Sequence, residues 1–116
     1  MKKECIRVYY KRPGKNLIEV KIPNELEWIQ GAVEGYFEAV TLKPGENGMP
    51  DLVMLCNEEG KLKEMEPNFR WMNDVVVGPV LFVGADDEGD FTDCPMNLKE
   101  LKSALLVKGM LLVVKS

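Results

Sequence analysis

Asp51, directly after Pro50, is followed eight residues later by Glu59 and then, past Gly60, by Lys61. Two carboxylates that hold a divalent cation, beside a lysine that polarises the attacking water, would make a metal-dependent hydrolase. The spacing works against it. Asp51 and Glu59 bracket a single apolar segment, and eight residues of strand at 3.3 Å each set them about 26 Å apart. One ion cannot bridge that distance. The acidic run Asp86, Asp87, Glu88, Asp90 and Asp93 has the oxygen ligands of a calcium loop but not their order. Gly89 precedes Asp90, and the twelfth place from Asp86 is Asn97, where a bidentate glutamate is needed. It reads as a solvated turn.

Nucleophilic catalysis fares no better. The chain contains no histidine, and its only serines and threonines are Thr41, Thr92, Ser103 and Ser116. Cys56 stands next to Asn57, Glu58 and Glu59, and carboxylates raise a thiol pKa and suppress its thiolate. Cys56 therefore reads as a core residue. Glu58 and Glu59 could in principle trade a proton, but adjacent carboxylates on a turn are ordinarily just hydrated. Cys5, Cys56 and Cys94 are odd in number and far apart, which fits neither a disulfide framework nor a zinc site and suits a reducing cytoplasm. The expectation is a protein that is not an enzyme, with no cofactor and no metal site.

Which elements carry these residues follows from periodicity. Residues 5–10 alternate, with Ile6, Val8 and Tyr10 on one side and Arg7 and Tyr9 on the other, as in a half-buried strand. Pro13-Gly14 turns the chain, and residues 17–22 alternate again, which completes a hairpin. Asn24 and Glu27 have capping-box spacing before a short helix over 25–34, with Gly35 as its terminating residue. Residues 36–42 form a strand by composition. Residues 52–56 are continuously apolar, which predicts a central strand buried on both faces. After the turn at 57–60, with Gly60 in a left-handed position, residues 61–66 return as a strand. Residues 75–77 and 80–83 read as one long strand bent at Gly78-Pro79, so it lies near an edge or carries a bulge. Asn97 and Glu100 repeat the capping spacing before a helix that Gly109 ends, and residues 110–115 fit either strand or helix. The sum is one α+β domain over residues 1–116. Its sheet is mainly antiparallel, of about five to six strands, with two short helices on one face.

The 116 residues carry 15 Lys and Arg against 19 Asp and Glu, a net charge of −4 that conceals a division. Residues 1–21 hold seven basic and two acidic groups, residues 22–96 four basic and sixteen acidic, and residues 97–116 return to +3. Arg7, Tyr9, Lys11 and Arg12 put basic and aromatic groups on one hairpin, the ingredients of a nucleic-acid stacking platform. A solvated outer face is the favoured reading, because the acidic body repels phosphate. Within the most apolar stretch, residues 98–114, the longest pure apolar run, 110–114, is far short of the roughly 20 residues of a membrane span, so no membrane partner is expected. Residues 1–6 lack the apolar core of a signal peptide, which again points to the cytoplasm.

The block Leu52-Val53-Met54-Leu55-Cys56-Asn57-Glu58-Glu59-Gly60-Lys61-Leu62 gives the chain a likeness. Ile22-Pro23-Asn24 and Leu26 come before it, Gly35-Tyr36-Phe37-Glu38 next, and Pro67-Asn68 and a Gly78–Gly84 strand after it. The series resembles an uncharacterised family of short proteins of bacteria, phages and mobile elements, marked by an N-E-E-G-K turn, over about residues 15–93. The resemblance implies an accessory role, with no activity to carry over. It marks Asn57, Glu58, Gly60, Lys61 and Asn68 as shared features. The expectation is a binding protein that meets a protein partner, a host protein among the candidates, at Asn57, Glu58, Glu59, Gly60, Lys61 and Asn68. The alternatives are a small molecule or nucleotide at the same turn, with Lys61 as the anion contact, or weak nucleic-acid binding by the hairpin.

Overall fold

The computed structural model describes residues 4–71, 73–107 and 111–112. Strands β1 (Cys5–Lys11) and β2 (Ile18–Pro23) form the expected hairpin, and Gly14 in its turn has φ 70°. Helix α1 (Leu26–Val33) leads to β3 (Phe37–Lys43) and β4 (Asp51–Asn57). Then come β5 (Pro67–Trp71), β6 (Asp74–Val77), β7 (Val80–Ala85) and the short β8 (Phe91–Thr92). Helix α2 (Leu98–Val107) and β9 (Leu111–Leu112) follow. The main sheet runs β2-β1-β7-β4-β3 with β8 also on β7, and β6-β5-β9 make a second, small sheet; every pairing is antiparallel. The α+β class with a six-stranded main sheet and two helices matches the sequence expectation.

Alternation along β4 and β7 explains why they are central. Val53, Leu55, Leu81 and Val83 point to one side and meet Ile29 of α1. Leu52, Met54, Val80 and Phe82 point to the other, where Phe69 of β5 and Leu101 and Leu105 of α2 cover them. Both faces are apolar, so both need a lid, and the helices lie on opposite faces rather than on one. The same two-sided cover buries Tyr9 as completely as Ile6 and Val8, so β1 is no half-wet strand.

β1 and β8 share one edge of β7. β1 pairs with residues 80–82, and β8 takes Gly84 and Ala85. Where β1 leaves β7, the Arg7 amide donates to Asp93 Oδ1 at 2.9 Å and the Cys94 amide to the Arg7 carbonyl at 2.8 Å. A Cβ at Gly84 would stand 2.2 Å from Thr92 Oγ1 and 2.4 Å from the Asp93 carbonyl, so this close approach requires glycine.

Three local expectations are corrected. Residues 61–64 are turn, not strand. The Lys63 amide donates to the Glu59 carbonyl, Lys63 and Glu59 pair along one helical turn, and the next strand waits for Pro67. Residues 75–83 are two strands in two sheets: Gly78, at φ 76°, swings the chain from β6 into the middle of the main sheet. Asn24 does not cap α1. It is buried, and its Nδ2 donates to the Phe91 carbonyl at 2.9 Å, while Glu25 holds the cap position without a side-chain bond. At the other end of α1, Glu34 takes the left-handed position at φ 63°, and Gly35 follows it at φ 152°, its amide donating to the Gln30 carbonyl at 2.9 Å. The box at α2 forms as read: the Glu100 amide donates to Asn97 Oδ1 and the Asn97 amide to Glu100 Oε1, at 2.8 and 2.9 Å. Leu111 and Leu112 are strand, while residues 108–110 and 113–115 lie outside those described. Neither α1 nor α2 is long and apolar enough to cross a membrane.

Candidate functional site

The turn after β4 is built around Asn57, which is buried. Its Nδ2 donates to the carbonyls of Val33 and Glu34 at 3.1 and 3.2 Å, so it closes the C-terminal end of α1. Its Oδ1 accepts from the Glu59 amide at 2.8 Å in an Asx turn. Gly60 follows for a different reason from the one its sequence position suggests. It has no positive φ; a Cβ there would lie 2.8 Å from Val77 Cγ2, so glycine lets the turn press onto β6. Lys61 Nζ donates to Asp74 Oδ1 in an exposed ion pair, which, with the Val75 amide, holds the Asp74 carboxyl below its ordinary pKa.

These contacts place Glu58, Glu59 and Lys61 on the rim of a groove of about 450 Å³ that runs between the main sheet and β6. Met54, Cys56, Trp71 and Val76 give it apolar walls, and Glu38 and Asp74 complete a rim of four carboxylates against one lysine. The sequence reading missed Glu38, Trp71 and Asp74, because they come from three strands in two sheets and only the fold brings them together.

Cys56 faces Glu38, with 3.8 Å between Sγ and Oε1. Burial, and then the nearby carboxylate, push its thiol up to about 11. Burial raises Cys94 as well. With iodoacetamide at mildly alkaline pH, the half-buried Cys5 is expected to label first, and Cys56 and Cys94 only after denaturation. Equal labelling of Cys5 and Cys56 in the native protein, followed by mass spectrometry, would contradict this.

Asn68 does not join the groove. It is fully buried at the start of β5, bonded to Lys11 and Gly78, because its amide is needed where β5, β1 and the 78–79 link converge. The hairpin platform is likewise not presented. Tyr9 and Lys11 are buried in the core. The Arg7 guanidinium is occupied by the carbonyls of Cys94 and Met96, at 2.7 and 3.4 Å, and lies over the Tyr9 ring. Of the four residues only Arg12 is exposed. Asp51 caps the 45–51 loop by accepting from the Gly45 amide at 2.6 Å, at the far end of β4 from Glu59. The Asp86 carboxylate accepts from the amides of Glu88 and Asp90 at 3.0 and 2.9 Å, as a local turn does. Among the described residues no cluster of three acidic or thiol side chains could hold a metal ion.

Residues 6–105 match the family model described as Domain of unknown function (DUF3846). The match reaches beyond residues 15–93, taking in most of β1 and of α2. No curated protein matches the chain, and no solved structure does.

Proposed function

The chain belongs to the DUF3846 family, whose function is unknown, and from that premise we propose that it is a non-enzymatic binding protein. Its groove beside the 57–61 turn takes an extended segment of a partner protein in which basic and apolar side chains alternate. One observation carries this reading: four carboxylates, Glu38, Glu58, Glu59 and Asp74, stand over apolar walls, with Lys61 as the one lysine lining the groove and Lys63 reaching Glu59 from outside it. A side chain pointing in meets Trp71 and Val76, and its neighbours on either side, pointing out, meet the acidic rim. β3, whose Glu38 and Val40 line the same groove, ends the main sheet, and among the described residues nothing pairs with its outer edge. A nucleotide at this turn is disfavoured, because Asp74 already neutralises Lys61 and the remaining rim charges repel phosphate.

The acidic middle of the chain and the resemblance of residues 15–93 support an accessory role on a phage or other mobile element. In that role the partner is a cytoplasmic host protein with a basic surface, such as a nucleic-acid enzyme. Selection from a random peptide display library tests the groove directly. Enriched peptides should be basic and apolar in alternation, lose about tenfold in affinity with Glu58→Lys/Glu59→Lys, and weaken with salt. Enrichment of acidic or uncharged peptides, or equal binding by the double variant, would refute the reading.

A further inference from the structure

β2 ends the main sheet, and among the described residues nothing pairs with its outer edge. An open strand edge is a template for another strand, and proteins usually blunt it. The opposite edge, β3, is blunted by a register shift between Thr41 and Lys43. β2 runs from Ile18 to Pro23 in unbroken register with β1, and only Pro23, which lacks an amide hydrogen, stops it at one end.

The order of side chains along β2 is self-complementary. Ile18, Val20 and Ile22 lie on the face that carries α1, and Glu19 and Lys21 on the other. An antiparallel two-fold axis through Val20 sets Ile18 of one copy opposite Ile22 of the other and Val20 opposite Val20. It also sets Glu19, whose Oε1 takes the Tyr9 hydroxyl at 3.3 Å and Arg7 at 3.7 Å from β1, opposite Lys21 twice over. Directly opposed residues in an antiparallel pair stand about 4.5–5.5 Å apart at Cβ, which is close enough for both ion pairs and for the apolar contacts. The same operation applied to β3 about Val40 would set Glu38 against Leu42, so the other edge has no such match.

A second feature lies on the same face. Tyr10, Val20, Ile22, Trp28, Ala32 and Leu81 line an apolar groove of about 470 Å³ between α1 and the hairpin. Trp28 is 56% exposed and Ile18 44%, an apolar surface next to an open edge. A two-fold axis normal to the sheet, passing between the two Val20 residues, keeps each face on its own side. The partner copy's isoleucines and valine therefore extend the apolar floor beside Trp28.

We propose that β2 pairs with β2 of a second copy about an axis through Val20, forming a homodimer in which the two main sheets become one. Sedimentation equilibrium of the full chain tests it. The wild type is expected to be a dimer. Glu19→Lys places lysine against lysine at both ends, and Lys21→Glu places glutamate against glutamate, so each should weaken association by about tenfold or more. An equimolar mixture of the two single variants should recover a dimer, because each charge again meets its opposite. The double variant Glu19→Lys/Lys21→Glu should dimerise on its own. Circular dichroism of each variant establishes that it is folded. A monomeric wild type, single variants that dimerise normally, or a mixture that stays monomeric would each overturn the proposal. Neither position lines the acidic groove, so this result stands apart from that of the peptide selection.

Discussion

Replacing Asn68 with alanine is expected to lower the unfolding free energy by about 3–5 kcal/mol, read as a fall in the urea midpoint without a change in slope. Asn68 is 0% exposed. Its Nδ2 donates to the carbonyls of Lys11 and Gly78, both at 2.8 Å, and its Oδ1 accepts from Lys11 Nζ at 2.8 Å. The amide therefore ties β5 to β1 and to the link that carries the chain from the small sheet into the main one. Lys11 is itself buried, with Nζ donating also to the Arg12 carbonyl at 3.0 Å and no ion pair to a carboxylate among the described residues. Burial holds its pKa below the ordinary 10.5. Alanine would strand two carbonyls and leave the amine with one acceptor in place of two, and each stranded buried group costs its desolvation. A loss below about 1 kcal/mol would mean that water reaches the site and replaces the amide.

The lysine gives the same knot a pH signature. Its folded pKa is lowered, so the unfolded chain binds more protons, and its share of stability rises as pH climbs through the folded value toward 10.5. Cys56 works in the opposite sense. Its thiol is raised from 9.0 to about 11, so its share falls as pH rises through that interval. Lys11→Met removes the first effect and leaves the second. The variant should lose stability more steeply than the wild type above the ordinary thiol pKa.

Elements with a local cause were legible before the fold was known. β4 is apolar on every side chain from Leu52 to Cys56 because it has sheet neighbours on both edges and cover on both faces. The Asn97–Glu100 box needs only four residues to form. What failed depended on distant partners. Asn24 has the right spacing for a cap, yet the Phe91 carbonyl, far along the chain, claims its side chain. Residues 75–83 read as one strand because valines fill both halves. Only the second sheet gives the first half a different partner, β5. The groove was half legible: the turn was singled out, but its opposite wall and Glu38 arrive from other strands. Lys11 and Asn68 looked like surface groups because a mutually satisfied polar pair leaves no apolar pattern to read.

Replacing Asn57 with alanine is expected to cost about 2–4 kcal/mol, and it separates scaffold from surface within the turn. Asn57 bonds the last two carbonyls of the α1 end and the Glu59 amide, and it leaves Gly35 no room, since a Cβ there would lie 2.9 Å from its Nδ2. One side chain thus fixes the exit of α1, the start of β3 and the shape of the groove rim. Asn57→Asp keeps the acceptor for Glu59 but turns a negative charge toward two carbonyl oxygens, so it too should destabilise, and less so at acid pH where the carboxyl is neutral. Glu58→Lys/Glu59→Lys should instead stay within about 1 kcal/mol of the wild type, because Glu58 is exposed and the i,i+4 pair that Glu59 makes with Lys63 is a surface one, which contributes little to stability. The two kinds of variant then predict different binding. If the rim is what a partner touches, the lysine variant stays folded and loses the peptide. The folded fraction of Asn57→Ala should lose it as well, because the rim is no longer held in place. Binding that survives the lysine substitutions but fails with Asn57→Ala would move the contact from the carboxylates to the backbone of the turn itself.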